Sequence, residues 1–275
     1  MKYIVGFSGG IDSEAALLWA IRTHGAENVI ALNADPGGNE HPITTEFILN
    51  FLPHPVHVCR ATFRDMFVKE ETVLSHGFNP DDVVRFGDLA AIRGRFPYRK
   101  AQFCTELLKL RPSRRWVKEN IIGEFERVTG LRRDESGPRS AIQERDYDDW
   151  FHCPTNNPLA SWTKAECFDS VRSAGWPVNP LYSLGFLRVG CAPCINSSRA
   201  DIRQWARRFP AMISKVGAWE IESGRTFFAP MVPGLEINWI GQVVEWAMCE
   251  RGGRQYSLDV MIPQPSCQSI YGLCE

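Results

Sequence analysis

Three clusters in this chain combine residue types and spacings that could do chemistry. Ser8-Gly9-Gly10-Ile11-Asp12-Ser13 places hydroxyls, glycines and a carboxylate within one short stretch. Glycine accepts backbone angles closed to other residues, and a turn of this kind at a helix start aims free N–H groups at a phosphate. Asp12 would repel that phosphate unless a cation bridged them, a role that suits Mg2+. The second cluster runs from Gly130 through Arg132, Asp134, Glu135 and Ser136 to Arg139. Arginine forks suit phosphate or sulfate, and the alternative for the same residues is an internally paired salt network. The third is Cys191-Ala-Pro-Cys194, whose spacing can hand two thiolates to one metal or cluster. A structural zinc or a 4Fe–4S cluster takes four ligands, so the pair needs further cysteines, and Cys104, Cys249, Cys267 and Cys274 are available. Cys104 sits among the cations Arg99, Lys100, Lys109, Arg111, Arg114 and Arg115. These could steady the charge of a bound phosphate or form a solvated helix face.

The elements that must position these residues begin with an apolar strand at Tyr3–Val5, followed by a helix with Leu17, Leu18 and Ile21 on one stripe. Residues 28–35 read as a second strand that leaves the sheet at Asp35-Pro-Gly-Gly. Strand ends face the ligand crevice of a doubly wound sheet, so Asn33, Ala34 and Asp35 are candidates to touch a ribose or base, or else ordinary turn residues. A helix over 44–52 and a third strand over 55–60 follow, with Cys59 in a packed position. Residues 62–74 read as a further helix and 76–94 as a surface excursion near the pocket. Val128 suits a strand, 150–158 a hinge, and 162–174 an amphipathic helix with Ser161 as its N-cap. Arg199, Arg203 and Arg207 share a helix face that suits a nucleic-acid backbone or water.

Composition limits the function classes. The chain has 275 residues, 44% hydrophobic and 23% charged, enough for one large core or a core with a smaller lobe. A net charge of -1 argues against a generic nucleic-acid coat or a polybasic membrane binder. The absence of a long apolar run or a signal-peptide pattern leads us to expect no membrane partner and a cytoplasmic location. Nine unevenly spaced cysteines fit a metal or redox site in a reducing compartment better than a disulfide scaffold.

The stretch S-G-G-I-D-S resembles the PP-loop of the adenine nucleotide alpha-hydrolase superfamily, whose members cut ATP between the alpha and beta phosphates. F-C-T-E-L-L-K-L-R-P (103–112) and G-L-R-R-D-E-S-x-x-R (130–139) resemble segments of the phosphoadenosine phosphosulfate reductase-like family within it. The resemblance implies an α/β fold. A doubly wound, mostly parallel nucleotide-binding sheet would occupy residues 1–150, and a smaller, mainly helical, cysteine-containing lobe residues 151–275.

It further implies adenine nucleotide and Mg2+ at Ser8, Gly9, Gly10, Asp12, Ser13, Asn33, Asp35, Gly130, Arg132, Glu135, Ser136 and Arg139. Asp12, Lys109, Arg132 and Cys104 would be the catalytic set. In iron–sulfur members a cysteine matching Cys104 joins a later C-x2-C, but this chain has Phe103-Cys104 where they carry tandem cysteines. The fourth ligand would then come from Cys267 or Cys274. The alternative is Zn2+ held by Cys191, Cys194, Cys267 and Cys274.

The implied activity is ATP-dependent adenylation coupled to sulfur transfer. The acceptor could be a nucleic acid, with a sulfur-donor protein and a homodimer among the expected partners, as in tRNA thiolation and DNA phosphorothioation enzymes. The intact Asp12 favours this reading. One alternative is reduction of an adenylyl sulfate, or its 3'-phosphorylated form, to sulfite, although the chain ends Y-G-L-C-E where the familiar reductase tail resembles E-C-G-I/L-H. A second is a non-enzymatic nucleotide-binding protein on the same fold.

Overall fold

Strand β1 (Lys2–Gly6) is apolar on both sides because both of its faces are covered. Ile4 packs with Leu32, Cys59, Leu110 and Val117, whereas Val5 packs with Ala15, Ala16, Val29 and Val128. In the computed structural model, which describes residues 1–66 and 68–249, β1 lies inside a six-stranded sheet of order β3-β2-β1-β4-β6-β5. Strands β2 (Val29–Ala34), β3 (Val56–Cys59), β4 (Phe125–Val128) and β6 (Cys153–Asn156) run parallel with their neighbours, and only edge strand β5 (Arg145–Asp148) is antiparallel.

Helices α1 (Ile11–His24) and α6 (Lys164–Ser173) pack on one face, and α5 (Arg111–Asn120) packs on the other. The sheet is therefore doubly wound, as expected. Its order reverses beside β1, which opens the crevice at the carboxyl end of that strand. The expected division at residue 150 falls between the paired strands β5 and β6.

Outside the sheet, α4 (Phe86–Arg93), α8 (Pro210–Ser223) and α9 (Ile240–Met248) enclose a second apolar core that includes Phe86, Leu89, Val216, Phe227 and Val243. The 76–94 stretch is thus not wholly a surface excursion. Its half containing Phe86, Leu89 and Ala90 is buried, and the eight-residue helix is too short to display a clear period. The helix expected over 62–74 is broken into a 3-10 turn (Phe63–Met66) and the short α3 (Glu70–Ser75). Thr163 rather than Ser161 caps α6, closing a reciprocal box with Glu166 that puts the cap two residues later. Arg199 and Arg203 of α7 (Arg199–Arg208) donate to the last carbonyls of the α9 region, at Trp246 and Ala247, so these two cations terminate a helix. Cys59 is buried, and desolvation pushes its thiol up to about 12, in keeping with the packed position expected for it. No helix among the described residues is long and apolar enough to cross a membrane.

Candidate functional site

The turn after β1 depends on close approaches that only glycine permits. Gly9 has φ +79°, and a β-carbon there would lie 2.8 Å from Thr44 Cγ2. Gly130, at the end of β4, passes so near α1 that a β-carbon would lie 2.6 Å from the Asp12 carbonyl oxygen. Within the turn, the Ser8 N–H donates to Ser13 Oγ at 3.2 Å, and Ser13 Oγ donates to the Gly10 carbonyl at 2.8 Å. The Ile11 N–H at the helix start donates to the Tyr182 hydroxyl at 3.0 Å. One of the N–H groups expected to face a phosphate is therefore held by a side chain far along the chain.

In front of this turn lies an open cleft. It gathers Ser8, Asn33, Cys104, Lys109, Cys191 and Cys194, all singled out from sequence, together with Glu40 and Arg188, which were not. Asn33 is oriented by donation from Nδ2 to the Phe7 carbonyl at 2.8 Å. Cys104 immediately precedes a π-helical turn (Thr105–Leu110) that carries Lys109, and such turns often mark functional sites. Desolvation pushes the Glu40 carboxyl up to about 8, against the pull of Lys109 and with the help of Asp35.

The thiol loop docks on the segment after β2. The backbones of Glu40 and Cys191 form a bridge, the Ala192 N–H donates to the Asn39 carbonyl at 2.8 Å, and Asn39 Nδ2 donates to the Pro193 carbonyl at 3.1 Å. Cys194 Sγ accepts from Arg188 Nη1 at 3.8 Å and from the Asn196 N–H at 3.4 Å. Glu40 and Arg188 carried no signal in the sequence, since each is a single charge in a loop.

Other expected residues lie outside the lining of this cleft. Asp12 and Arg132 form a buried ion pair with Oδ2 and Nε 3.0 Å apart. Arg132 also pairs with Asp134, and Arg139 with Glu135. Arg132 and Arg139 of the second cluster are thus paired with carboxylates in the structure. Ser136 is buried beside it. Asp35 accepts the Gly38 N–H at 2.9 Å and pairs with Arg60 at 3.1 Å, so turn chemistry engages its carboxylate. Of the cations near Cys104, Arg111 bonds Glu106 and Arg115 bonds the Arg60 carbonyl.

Cys267 and Cys274 lie outside the described residues. Cys104, Cys191 and Cys194 are chemically apt donors for a 4Fe–4S cluster or zinc. However, no group of three or more His, Cys, Asp or Glu among the described residues is placed to hold a metal ion. The described residues alone do not make up such a site.

The family model of the phosphoadenosine phosphosulfate reductase domain matches residues 2–197. An uncharacterized 37.8 kDa protein of Escherichia phage 186 is 29% identical, with the alignment covering 99% of this chain and 96% of the relative. An adenosine 5'-phosphosulfate reductase of Burkholderia cepacia is 32% identical over 45% of this chain, which thus spans under half (44%) of that reductase. A solved phosphoadenylyl-sulfate reductase of Candida auris superposes on 70% of this chain and 83% of its own, with TM-score 0.47 and 18% identity.

Proposed function

From the premise that the chain belongs to the phosphoadenosine phosphosulfate reductase domain family, we propose that its cleft binds an adenylyl sulfate and reduces it to sulfite with release of AMP. The observation that carries this reading is the meeting of the thiols Cys104, Cys191 and Cys194 with the cations Lys109 and Arg188 in front of the Ser8 turn. A nucleotide anchored at Ser8 and Asn33 would present its sulfonyl end to those thiols. A cleft thiolate, with Cys104 as first candidate, attacks the sulfur atom. The sulfur–oxygen bond to AMP breaks, AMP leaves with the electron pair, and a protein thiosulfonate remains. A second thiolate then attacks the protein sulfur and forms a disulfide, and sulfite departs with the electrons of the sulfur–sulfur bond. An external dithiol restores the thiols. Lys109 and Arg188 offset the negative charge gathered between nucleotide and sulfonate.

The second reading is ATP-dependent adenylation with sulfur transfer to an acceptor such as RNA or DNA. It is favoured by Ser8 at the cleft and by the Ser8–Ser13 hydroxyl pair behind it, at 3.2 Å. The pairing of Asp12 with Arg132 counts against it, because that carboxylate was the expected Mg2+ partner. A 4Fe–4S cluster or Zn2+ would draw on Cys104, Cys191 and Cys194 with Cys267 or Cys274, and iron, acid-labile sulfide and zinc analysis of anaerobically purified protein tests for it.

The deciding experiment incubates reduced full-length protein with adenosine 5'-phosphosulfate or its 3'-phosphorylated form and measures sulfite together with AMP from the first substrate or adenosine 3',5'-bisphosphate from the second. Alpha-labelled ATP with RNA or DNA is run in parallel. Sulfite equimolar with the released nucleotide is expected. Acceptor-dependent pyrophosphate without sulfite would establish the second reading instead, and nucleotide binding with no turnover in either arm would leave a binding protein.

A further inference from the structure

The two halves of the site are tied together by buried side chains outside the cleft lining. Asn179, 1% exposed, donates from Nδ2 to the Gly9 carbonyl and to Thr44 Oγ1, both at 3.1 Å. Its Oδ1 accepts the Leu181 N–H at 3.1 Å, which fixes the amide in that orientation. Thr44, fully buried, donates its hydroxyl proton to the Val189 carbonyl at 2.7 Å. Val189 is followed directly by Gly190 and Cys191, which line the cleft. The hydrogen bonds therefore run without a gap from the glycine turn to the thiol loop.

Each link is buried, so a broken one leaves a polar group unsatisfied in the interior. Both ends are backbone carbonyls. Asn39 already holds Ala192 and Pro193 to the segment after β2, and Thr44, at the start of α2 (Pro42–Asn50), extends that hold to the glycine turn through Asn179.

Building on the nucleotide reading above, we propose that Asn179 and Thr44 are positioning residues that transmit nucleotide occupancy of the Ser8–Ser13 turn to the Cys191–Cys194 loop. Neither needs to touch the nucleotide. With the turn occupied, the relay sets the position of Val189 and hence the presentation of the two thiols.

The test uses full-length protein, AMP as the probe, and N-ethylmaleimide alkylation of Cys191 and Cys194 followed by peptide mass spectrometry. AMP affinity is measured by titration on the same samples. AMP should change the alkylation rate of the wild type by about 5-fold or more, the low end of coupling between linked sites. Thr44→Ser, which keeps the hydroxyl, should retain the change. Thr44→Val, which fills the same space without the hydroxyl, should bind AMP and show no change. Should Thr44→Val fail to fold, Thr44→Ala removes the same hydroxyl without the crowding. An AMP effect in the hydroxyl-less variant equal to that of the wild type would overturn the relay, because simple shielding of the thiols by AMP does not depend on Thr44. AMP binding with unaltered alkylation in the wild type would overturn the relay alone, whereas absence of AMP binding would overturn the nucleotide reading and the relay with it.

Discussion

Arg132 Nε lies 3.0 Å from Asp12 Oδ2, with the two side chains only 4% and 3% exposed. The pair joins the first turn of α1 to the segment after β4, and it occupies the carboxylate that the sequence assigned to Mg2+. Removing one partner of a buried ion pair strands the other, at a cost of about 3–5 kcal/mol. Arg132→Ala is expected to lose stability of that order in urea unfolding. Asp12→Asn should lose less, because Arg132 keeps Asp134. Equal losses from the two substitutions would show that Asp134 shares none of the charge.

The close pass of β4 over α1 predicts intolerance at Gly130. Its alanine variant would put a β-carbon 2.6 Å from a backbone oxygen that cannot swing aside, and overpacking of this kind costs about 1–3 kcal/mol. Gly137→Ala, where nothing lies within 4 Å, serves as the control and should stay within about 0.5 kcal/mol of the wild type. Thermal melts of the two variants check the contrast.

Glu14 is fully buried, and neither of its carboxylate oxygens has a hydrogen-bond partner among the described residues. Burial pushes its carboxyl from an ordinary 4.5 up to about 8. Between those values the native state holds a proton that the unfolded chain releases. This contribution to stability is full below pH 4.5 and declines as the pH rises towards 8. Glu14→Gln, which cannot ionise, should flatten the fall, and its advantage over the wild type should be greatest near pH 8. Denaturant unfolding at pH 5, 6.5 and 8 measures this, and parallel curves for the two proteins would refute the assignment.

Lys109 brings positive charge to the cleft from the π-helical turn that follows Cys104. Under the adenylyl sulfate reading, Lys109→Ala should lower kcat by about 10²–10³-fold, as expected when a preorganised group that stabilises developing charge is lost. Sulfite release under saturating substrate provides the measurement. A rise in KM with kcat unchanged would place Lys109 in binding only.

Local chemistry made much of the fold legible. The apolar run before Ser8, the glycines that follow and the helical stripe after them each act within a few residues, so strand, turn and helix could be read in order. The Cys191–Cys194 pair was legible for the same reason. Residues 76–94 were not, because α4 spans eight residues and packs against α8, more than 100 positions away. Glu40 and Arg188 escaped notice because nothing in their neighbourhoods distinguishes a cleft charge from a surface one.

The sequence by itself determined the parallel α/β architecture, the glycine turn and a supply of thiols and arginines suited to anions. Only the tertiary structure decided how those charges are spent. Arg132 and Arg139 are buried and paired with Asp12 and Glu135, while Lys109 and Arg188 join Cys104, Cys191 and Cys194 at the cleft. The physical reason is that a turn or a helix stripe is settled by steric and hydrophobic effects over a few residues. The partner of a charge is settled by which groups the sheet brings within a few ångströms, and here the Tyr182 hydroxyl reaches the Ile11 N–H across 171 positions of chain.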